Sequence, residues 1–367
     1  MTQKSLPKVF IVGESGTTGL RLHDRLSGRK DIDLLSLPED KKKDIDTIVS
    51  FAKEADIMFL CLPDDASREI VKATEGTGIR ILDTSTAHRT KEDWVYGFPE
   101  LSEQQKDAIA KADKVAVPGC HASGVISILY PLVKAGVLPI NYPLHCFSLT
   151  GYSGGGKSMI KDYEENMREE LKAPRQYGLS QKHKHLPEIM KVCKLCEEPI
   201  FSPIVADYVA GMQVTIGFHT HFLQLPCGLP GSVDIDDFHE IYKRCYKGSN
   251  IVKISDLTTD ETNGLFLNAN KDAGKDSLTI YIAGNDDRIL VLASFDNLGN
   301  GSLESESKLR NYDFVRNLNC NRFLLTLKSN TVQTLLLCFT LLSSALLTLG
   351  TVCELLLFNN VVRASAL

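Results

Sequence analysis

Apolar and polar positions follow two different rhythms along this chain. Up to about residue 135, short continuous apolar runs alternate with amphipathic stretches. "KVFIVGESGTTGLRLHDRL" is an apolar strand, a glycine-rich turn and then a helix. "DIDLLS" opens a second strand, "DIDTIVSFAKEA" has helical spacing, and "ADIMFLCLPDD" and "IRILDTS" are further buried-strand runs. "KVAVPGCHASGVISILYPLVKAG" is a strand, a turn and a long helix. Strands alternating with helices predict a parallel sheet, whose strand-end turns are where ligands bind. From about 140 to 295 the rhythm changes. "LHCFSLTGYS", "QVTIGFHTHFLQLP", "SLTIYIAGND" and "RILVLASFDN" are longer and more alternating. That pattern predicts an α+β domain with a mostly antiparallel sheet. The fold class expected is therefore α/β, followed by a second α+β unit.

Bulk properties narrow the picture. The 367 residues suit two domains. A net charge of −5 without a basic stripe argues against nucleic acid as a partner. The ten cysteines are widely scattered, which argues against a secreted disulfide framework and for a reducing compartment. "MTQKSLPKVFIVG" runs straight into a strand without an apolar signal core, so a cytoplasmic location is expected. Residues 331–353 carry no charge and are bracketed by Lys328 and Glu354. By length that run is able to span a bilayer; a buried helix, or a tail foreign to the fold, are the other readings.

Candidate chemistry sits at the turns. Gly13-Glu14-Ser15-Gly16-Thr17-Thr18-Gly19 is a G-x-x-G-x-x-G variant of the dinucleotide fingerprint, between a strand and a helix. The following strand ends without an acidic ribose ligand and offers Ser36 and Lys41 to Lys43, which suit the 2′-phosphate of NADP. Leu62 and Pro63, ending another strand, are expected to lie along that cofactor. Cys120 follows Pro-Gly at a strand-to-helix turn, where the helix dipole and free amides favour a thiolate. His183 and His185 flank Lys184, and either suits a proton acceptor for that sulfur. Glu188 is near enough in sequence to orient an imidazole. No third ligand follows His183 and His185 at zinc spacing, and Cys193-x-x-Cys196 lacks a partner pair, so no metal is expected. His219 and His221 read as structural residues of an alternating strand. Ser85 and Arg89, after another strand, suit anion binding. "GYSGGGKS", residues 151–158, fits the triphosphate-loop spacing, but the first-strand position such a loop needs is already occupied by Gly13 to Gly19.

Taken together, "VGESGTTG", "DTSTAHRT", "VPGCHASG", "TGYSGGGK", "KHKHLPEI" and "FDNLGNG", in that order, resemble the N-acetyl-gamma-glutamyl-phosphate reductase family over about 1–301. Aspartate-semialdehyde and glyceraldehyde-phosphate dehydrogenases are wider relatives. The resemblance implies a Rossmann-type NADP-binding domain over 1–120, a catalytic, substrate and dimerisation domain over 121–300, and an atypical tail over 301–367. It implies NADPH-dependent reduction of an acyl-phosphate substrate in arginine biosynthesis, by a homo-oligomer. Cys120 would be the nucleophile and His183 or His185 the acid/base. Gly13, Ser15, Gly16, Thr17, Thr18, Ser36, Leu62, Pro63 and Asn297 would meet the cofactor, and Ser85, Arg89, Ser153 and Tyr177 the substrate; Lys157 is added as a holder of the substrate carboxylate or phosphate on its charge alone. A related semialdehyde dehydrogenase of aspartate or aminoadipate type is the alternative. The resemblance stops at Gly301: the family continues with a small-residue helix, where this chain reads "SLESESKLRNYDFVRNLNCNRFLLTLKSN". An inactive or membrane-tethered nucleotide-binding product is the reading that departure adds.

Overall fold

Val9 to Val12 are at most 1% exposed, which puts the first apolar run at the middle of a sheet rather than its edge. The computed structural model describes residues 6–225, 232–255 and 266–297. The expected tail, with its apolar run 331–353, lies outside the described residues. The first sheet holds β1 (Lys8–Val12), β2 (Asp33–Leu35), β3 (Ile57–Leu60), β4 (Arg80–Asp83), β5 (Val95–Tyr96) and β6 (Lys114–Ala116) in the order β2-β1-β3-β4-β6-β5. Every pairing is parallel. Helices α1 (Thr17–Ser27), α2 (Ile45–Glu54), α3 (Asp64–Ala73) and α4 (Glu103–Lys111) connect the strands. The all-apolar "IMFL" of β3 is fully buried, as a strand covered on both faces must be.

Helix α5 (Cys120–Lys134) leads into the second unit, which adds β7 (His145–Gly151), α6 (Gly156–Glu164), β8 (Arg175–Gln176), α7 (Leu186–Cys193), β9 (Ile200–Ala206), β10 (Met212–His219), α8 (Ile235–Cys245), β11 (Val252–Ser255), β12 (Leu278–Gly284) and β13 (Arg288–Phe295). Its seven strands run β11-β12-β13-β10-β7-β9-β8. The β7–β9 and β11–β12 pairs are parallel and the other four antiparallel, so the sheet is mixed but mostly antiparallel, as expected. In β10 the even-numbered Met212, Val214, Ile216 and Phe218 point into the core. A Cβ on Gly124 of α5 would come within 2.5 Å of Val214, so that glycine permits the close helix–sheet approach. One expectation is corrected here. The strand ends at His219, and Thr220–Phe222 form a 3₁₀ turn, so His221 is not on a strand face with His219. The Thr220 amide and hydroxyl bond the Asp287 and Asp286 carbonyls, which turns the chain out of the ladder.

Helix α5 contains Pro131, which has no N–H to offer the Ser127 carbonyl one turn back. That buried acceptor is satisfied instead by the Tyr246 hydroxyl at 2.8 Å, just past α8, while the Tyr242 hydroxyl donates to the Ile128 carbonyl at 2.7 Å. The proline defect thereby becomes the docking point of α8. Tyr246→Phe should lower stability by about 1–3 kcal/mol through the orphaned carbonyl. On a Pro131→Ala background, which restores the helical donor, the loss should shrink to under about 1 kcal/mol. Urea unfolding of the four proteins measures this; equal losses on both backgrounds would contradict it.

Candidate active site

The helix starts separate into two groups. Helices α2, α4 and α8 are capped by Asp44, Ser102 and Asp234, each accepting from a first-turn amide. Helices α1, α3, α5, α6 and α7 begin at Gly16, Pro63, Gly119, Gly155 and His185 with no side-chain cap. Those five starts converge on two adjoining cavities. Uncapped amides keep their donors and their partial positive charge for something else, and anions are what they favour.

The smaller cavity, about 260 Å³, lies over the first glycine turn and is lined by Gly16, Thr17, Thr18, Leu62, Pro63 and Thr84 among others. Gly13 has φ +91°, and a Cβ there would sit 2.4 Å from the Cys61 carbonyl oxygen. A Cβ on Gly19 would lie 2.1 Å from the Gly13 carbonyl oxygen. The turn therefore exists only without side chains, and it leaves backbone open in front of α1, which fits a dinucleotide. Ser15 is exposed on the turn. Ser36 is exposed after β2 and donates to Glu14 Oε1 at 3.3 Å, with Lys41 and Lys43 exposed nearby in sequence.

The larger cavity, about 390 Å³, contains Cys120, His121, Tyr177, His183 and His185 in its wall. Thr18, Thr84, Arg89, Gly154 and Lys184 line both cavities and join them. Cys120 is the first residue of α5 and half-buried. Burial pushes its thiol pKa up. The His121 amide bonded to the sulfur and the charges of Arg89 and Lys184 pull the other way without prevailing. The helix start thus softens the desolvation of the sulfur rather than yielding a standing thiolate. His183 and His185 meet edge to face with centroids 4.8 Å apart, and both face His121, at 5.3 and 5.6 Å. His183 Nδ1 accepts from the His185 amide at 3.2 Å. Burial drives the His183 pKa down to about 4 and the His185 pKa well below the usual range, so both rings are neutral near pH 7. His185 Nε2 packs against Gly119, the residue before the cysteine, so tightly that a Cβ there would be 2.4 Å away.

Beneath the cysteine turn lies a buried ion pair. Arg89 Nη1 donates to Glu188 Oε1 at 2.7 Å, Nε to the Val117 carbonyl at 2.8 Å and Nη2 to the Thr84 carbonyl at 2.9 Å. Glu188 Oε2 accepts from the Tyr96 hydroxyl at 2.7 Å and the Gly119 amide at 3.2 Å. Glu188 therefore fixes the Pro-Gly-Cys turn, and its partners are Arg89, Tyr96 and Gly119 rather than the imidazole expected from its place in the sequence. Burial pushes its carboxyl pKa up against the opposing pull of Arg89. Removing one member of such a pair costs roughly 3–5 kcal/mol, because the other is left buried and unpaired.

Several expected residues hold the site together from within. Ser85 Oγ donates to the buried Asp83 at 2.6 Å, and Asp83 also meets His88 Nδ1 at 2.6 Å. Asn297 lines the larger cavity, but its side chain accepts from the Gly211 amide at 2.9 Å and donates to Ser153 Oγ at 3.2 Å, clamping the 151–153 turn. Lys157 is a correction: it is exposed on α6 and lines neither cavity. Gly156 at φ +78° starts α6 and directs Lys157 away, and Lys184 is the lysine at the junction. Residues 151–158 are the end of β7, which lies between antiparallel β10 and parallel β9 in the second sheet, then a 3₁₀ turn and a helix start, not a first-strand phosphate loop. His121, Ser148, Tyr96 and Thr84 went unnoticed in the sequence; only the adjacency of His121 to Cys120 was there to be read. Cys193 is buried and Cys196 exposed, and no His/Cys/Asp/Glu cluster among the described residues has metal-binding geometry.

A glycine-turn cavity joined to a cysteine–histidine cavity defines a protein of the semialdehyde dehydrogenase class. The family described as "Semialdehyde dehydrogenase, NAD binding domain" matches residues 36–111, and "Semialdehyde dehydrogenase, dimerisation domain" matches 120–297. Aspartate semialdehyde dehydrogenase II from Vibrio cholerae, complexed with ASA, superposes with a TM-score of 0.62 at 13% identity, over 89% of this chain and 100% of that one. The Candida albicans aspartate semialdehyde dehydrogenase with NADP gives 0.58 at 14% identity, over 88% and 99%. At that identity the likeness is one of fold. N-acetyl-gamma-glutamyl-phosphate reductase 2 from Pseudomonas putida is 39% identical over 313 residues, 84% of this chain and 96% of that protein. The reductase from Brucella anthropi is 41% identical over 302 residues, 81% and 94%. The chain belongs to the N-acetyl-gamma-glutamyl-phosphate reductase family.

The raised thiol pKa has a direct consequence. Iodoacetamide should alkylate Cys120 slowly at pH 7, and the rate should still be climbing above the ordinary thiol range of roughly 8.5. Mass spectrometry of the Cys120 peptide against pH measures this; a plateau already reached near neutrality would contradict it.

Proposed function

We propose that this chain reduces N-acetylglutamyl 5-phosphate to N-acetylglutamate 5-semialdehyde and phosphate with NADPH, in arginine biosynthesis. Residues 1–120 bind the cofactor and 121–300 carry the substrate site and the subunit contact. The observation that carries the reading is Cys120 at the uncapped start of α5, facing His183 and His185 in a cavity continuous with the glycine turn. The 39–41% identity to reductases of that name supports the substrate.

Burial keeps the proton on the thiol and the imidazoles neutral, so the proton leaves the sulfur as it attacks the substrate. His185, against Gly119, takes the thiol proton, and His183 backs it edge-on. The sulfur attacks the acyl carbon, the carbon–oxygen bond to phosphate breaks, and inorganic phosphate leaves a thioester on Cys120. Lys184 and the amides opening on the junction receive the anion. Gly13, Gly16, Thr17, Thr18, Leu62 and Pro63 would hold the dinucleotide; when bound, it supplies the hydride that makes the acyl carbon an aldehyde. Ser36 and the lysines after it carry the 2′-phosphate preference. Cys120 departs as a thiolate towards the His121 amide, and His185 returns the proton. The six described cysteines are free, which supports a reducing, cytoplasmic setting.

The reaction is read in reverse, as NADP⁺- and phosphate-dependent oxidation of N-acetylglutamate semialdehyde. Cys120→Ser should lower kcat by roughly a thousandfold or more. Substantial turnover by that variant would remove the thioester route, and faster turnover of aspartate semialdehyde would move the substrate assignment.

The subunit contact belongs to the open face of the seven-stranded sheet. Phe147, Ile200 and Leu290, on β7, β9 and β13, are 46%, 57% and 45% exposed there, with His145 stacked on Phe147. Phe147→Asp should shift the protein to monomer in sedimentation velocity; an unchanged oligomer would place the contact elsewhere.

A further inference from the structure

Apart from the cysteine and its two imidazoles, a buried polar chain enters the larger cavity from the sheet. Ser148 lies in the middle of β7 and is fully buried. His121 Nδ1 is 2.6 Å from Ser148 Oγ, and His121 Nε2 is 2.6 Å from the Tyr177 hydroxyl oxygen. Tyr177 lines the cavity with Cys120.

Resting on the reading of the site given above, we propose that Ser148 is a positioning residue: through His121 it sets the direction of this chain and leaves the Tyr177 proton free to donate to the acyl oxygen at Cys120. The direction follows by elimination. Among the described residues, Ser148 Oγ has no other hydrogen-bond partner. A fully buried hydroxyl proton without an acceptor is costly, so Oγ–H donates to His121 Nδ1. That nitrogen then carries the lone pair and Nε2 carries the hydrogen. Nε2–H donates to the Tyr177 oxygen. The phenol accepts from below and keeps its own proton, for which the described residues offer no acceptor. The opposite order would leave the serine proton stranded and turn the phenol proton away from the cavity. Only a neutral imidazole sustains this order, and burial together with His183 and Lys184 keeps His121 neutral, its pKa pushed down to about 3. A donor placed beside the sulfur helps most when charge develops on the acyl oxygen during attack.

Two measurements on the full-length protein test this. In histidine-labelled protein, nitrogen-15 shifts, assigned with His121→Gln, should find His121 protonated at Nε2 in the wild type. Protonation at Nδ1 would overturn the proposal, and this readout needs no turnover. In the semialdehyde assay, Ser148→Ala should lower kcat roughly tenfold, the worth of about one hydrogen bond, while KM changes by less than about twofold. Tyr177→Phe should show the same loss, and the double variant should be no worse than either single one, because both remove the same donor. Losses that add, or a change confined to KM, would overturn it. A wild type without semialdehyde turnover would count against the proposed function, with the tautomer still testing the chain.

Discussion

The buried Arg89–Glu188 pair is the contact on which the site depends. Its arginine lies between β4 and β5 of the parallel sheet and its carboxylate sits on α7, 99 residues later. The same carboxylate takes the amide of Gly119, so one ion pair determines where the cysteine stands. It also sets the electrostatics. Arg89 adds to burial in keeping His185 neutral, and opposes the desolvation of the Cys120 thiol. Glu188 balances the arginine, so the cavity floor gains order without a large net field. Three of the five Arg89 donors are already engaged by the protein. Its principal work is therefore architectural, even where its edge faces both cavities.

The capping pattern carries the same logic. Three helices whose starts do not line the cavities begin with side-chain caps, worth typically ~1 kcal/mol each. Five helices that open on the cavities go without. That stability is given up where free first-turn amides face the cavities, and such amides favour anions. The glycines at 13, 16, 19 and 119 belong to this arrangement, since a side chain at most of these positions meets backbone, guanidinium or imidazole at under 3 Å.

What could be read directly from the chain was local. Period-two alternation in β10 and the unbroken apolar run of β3 declare their own burial, and the glycine turn declares a strand-to-helix passage, because neighbouring residues decide those matters. Cys120 was legible for the same reason: its Pro-Gly neighbours place it at a helix start. What folding decided was which distant groups meet. Glu188 lies three residues after His185, yet its carboxylate turns to Arg89, Tyr96 and Gly119. Lys157 and Lys184 are alike as residues, and only the direction in which α6 leaves its turn puts one outside and the other at the junction. The proton order from Ser148 to Tyr177 was hidden as well, because strand β7, helix α5 and the 177 loop come together only when the sheet packs against the helix. Side-chain partners separated by tens of residues leave no periodic trace, since contact there is determined by tertiary geometry and not by spacing along the chain.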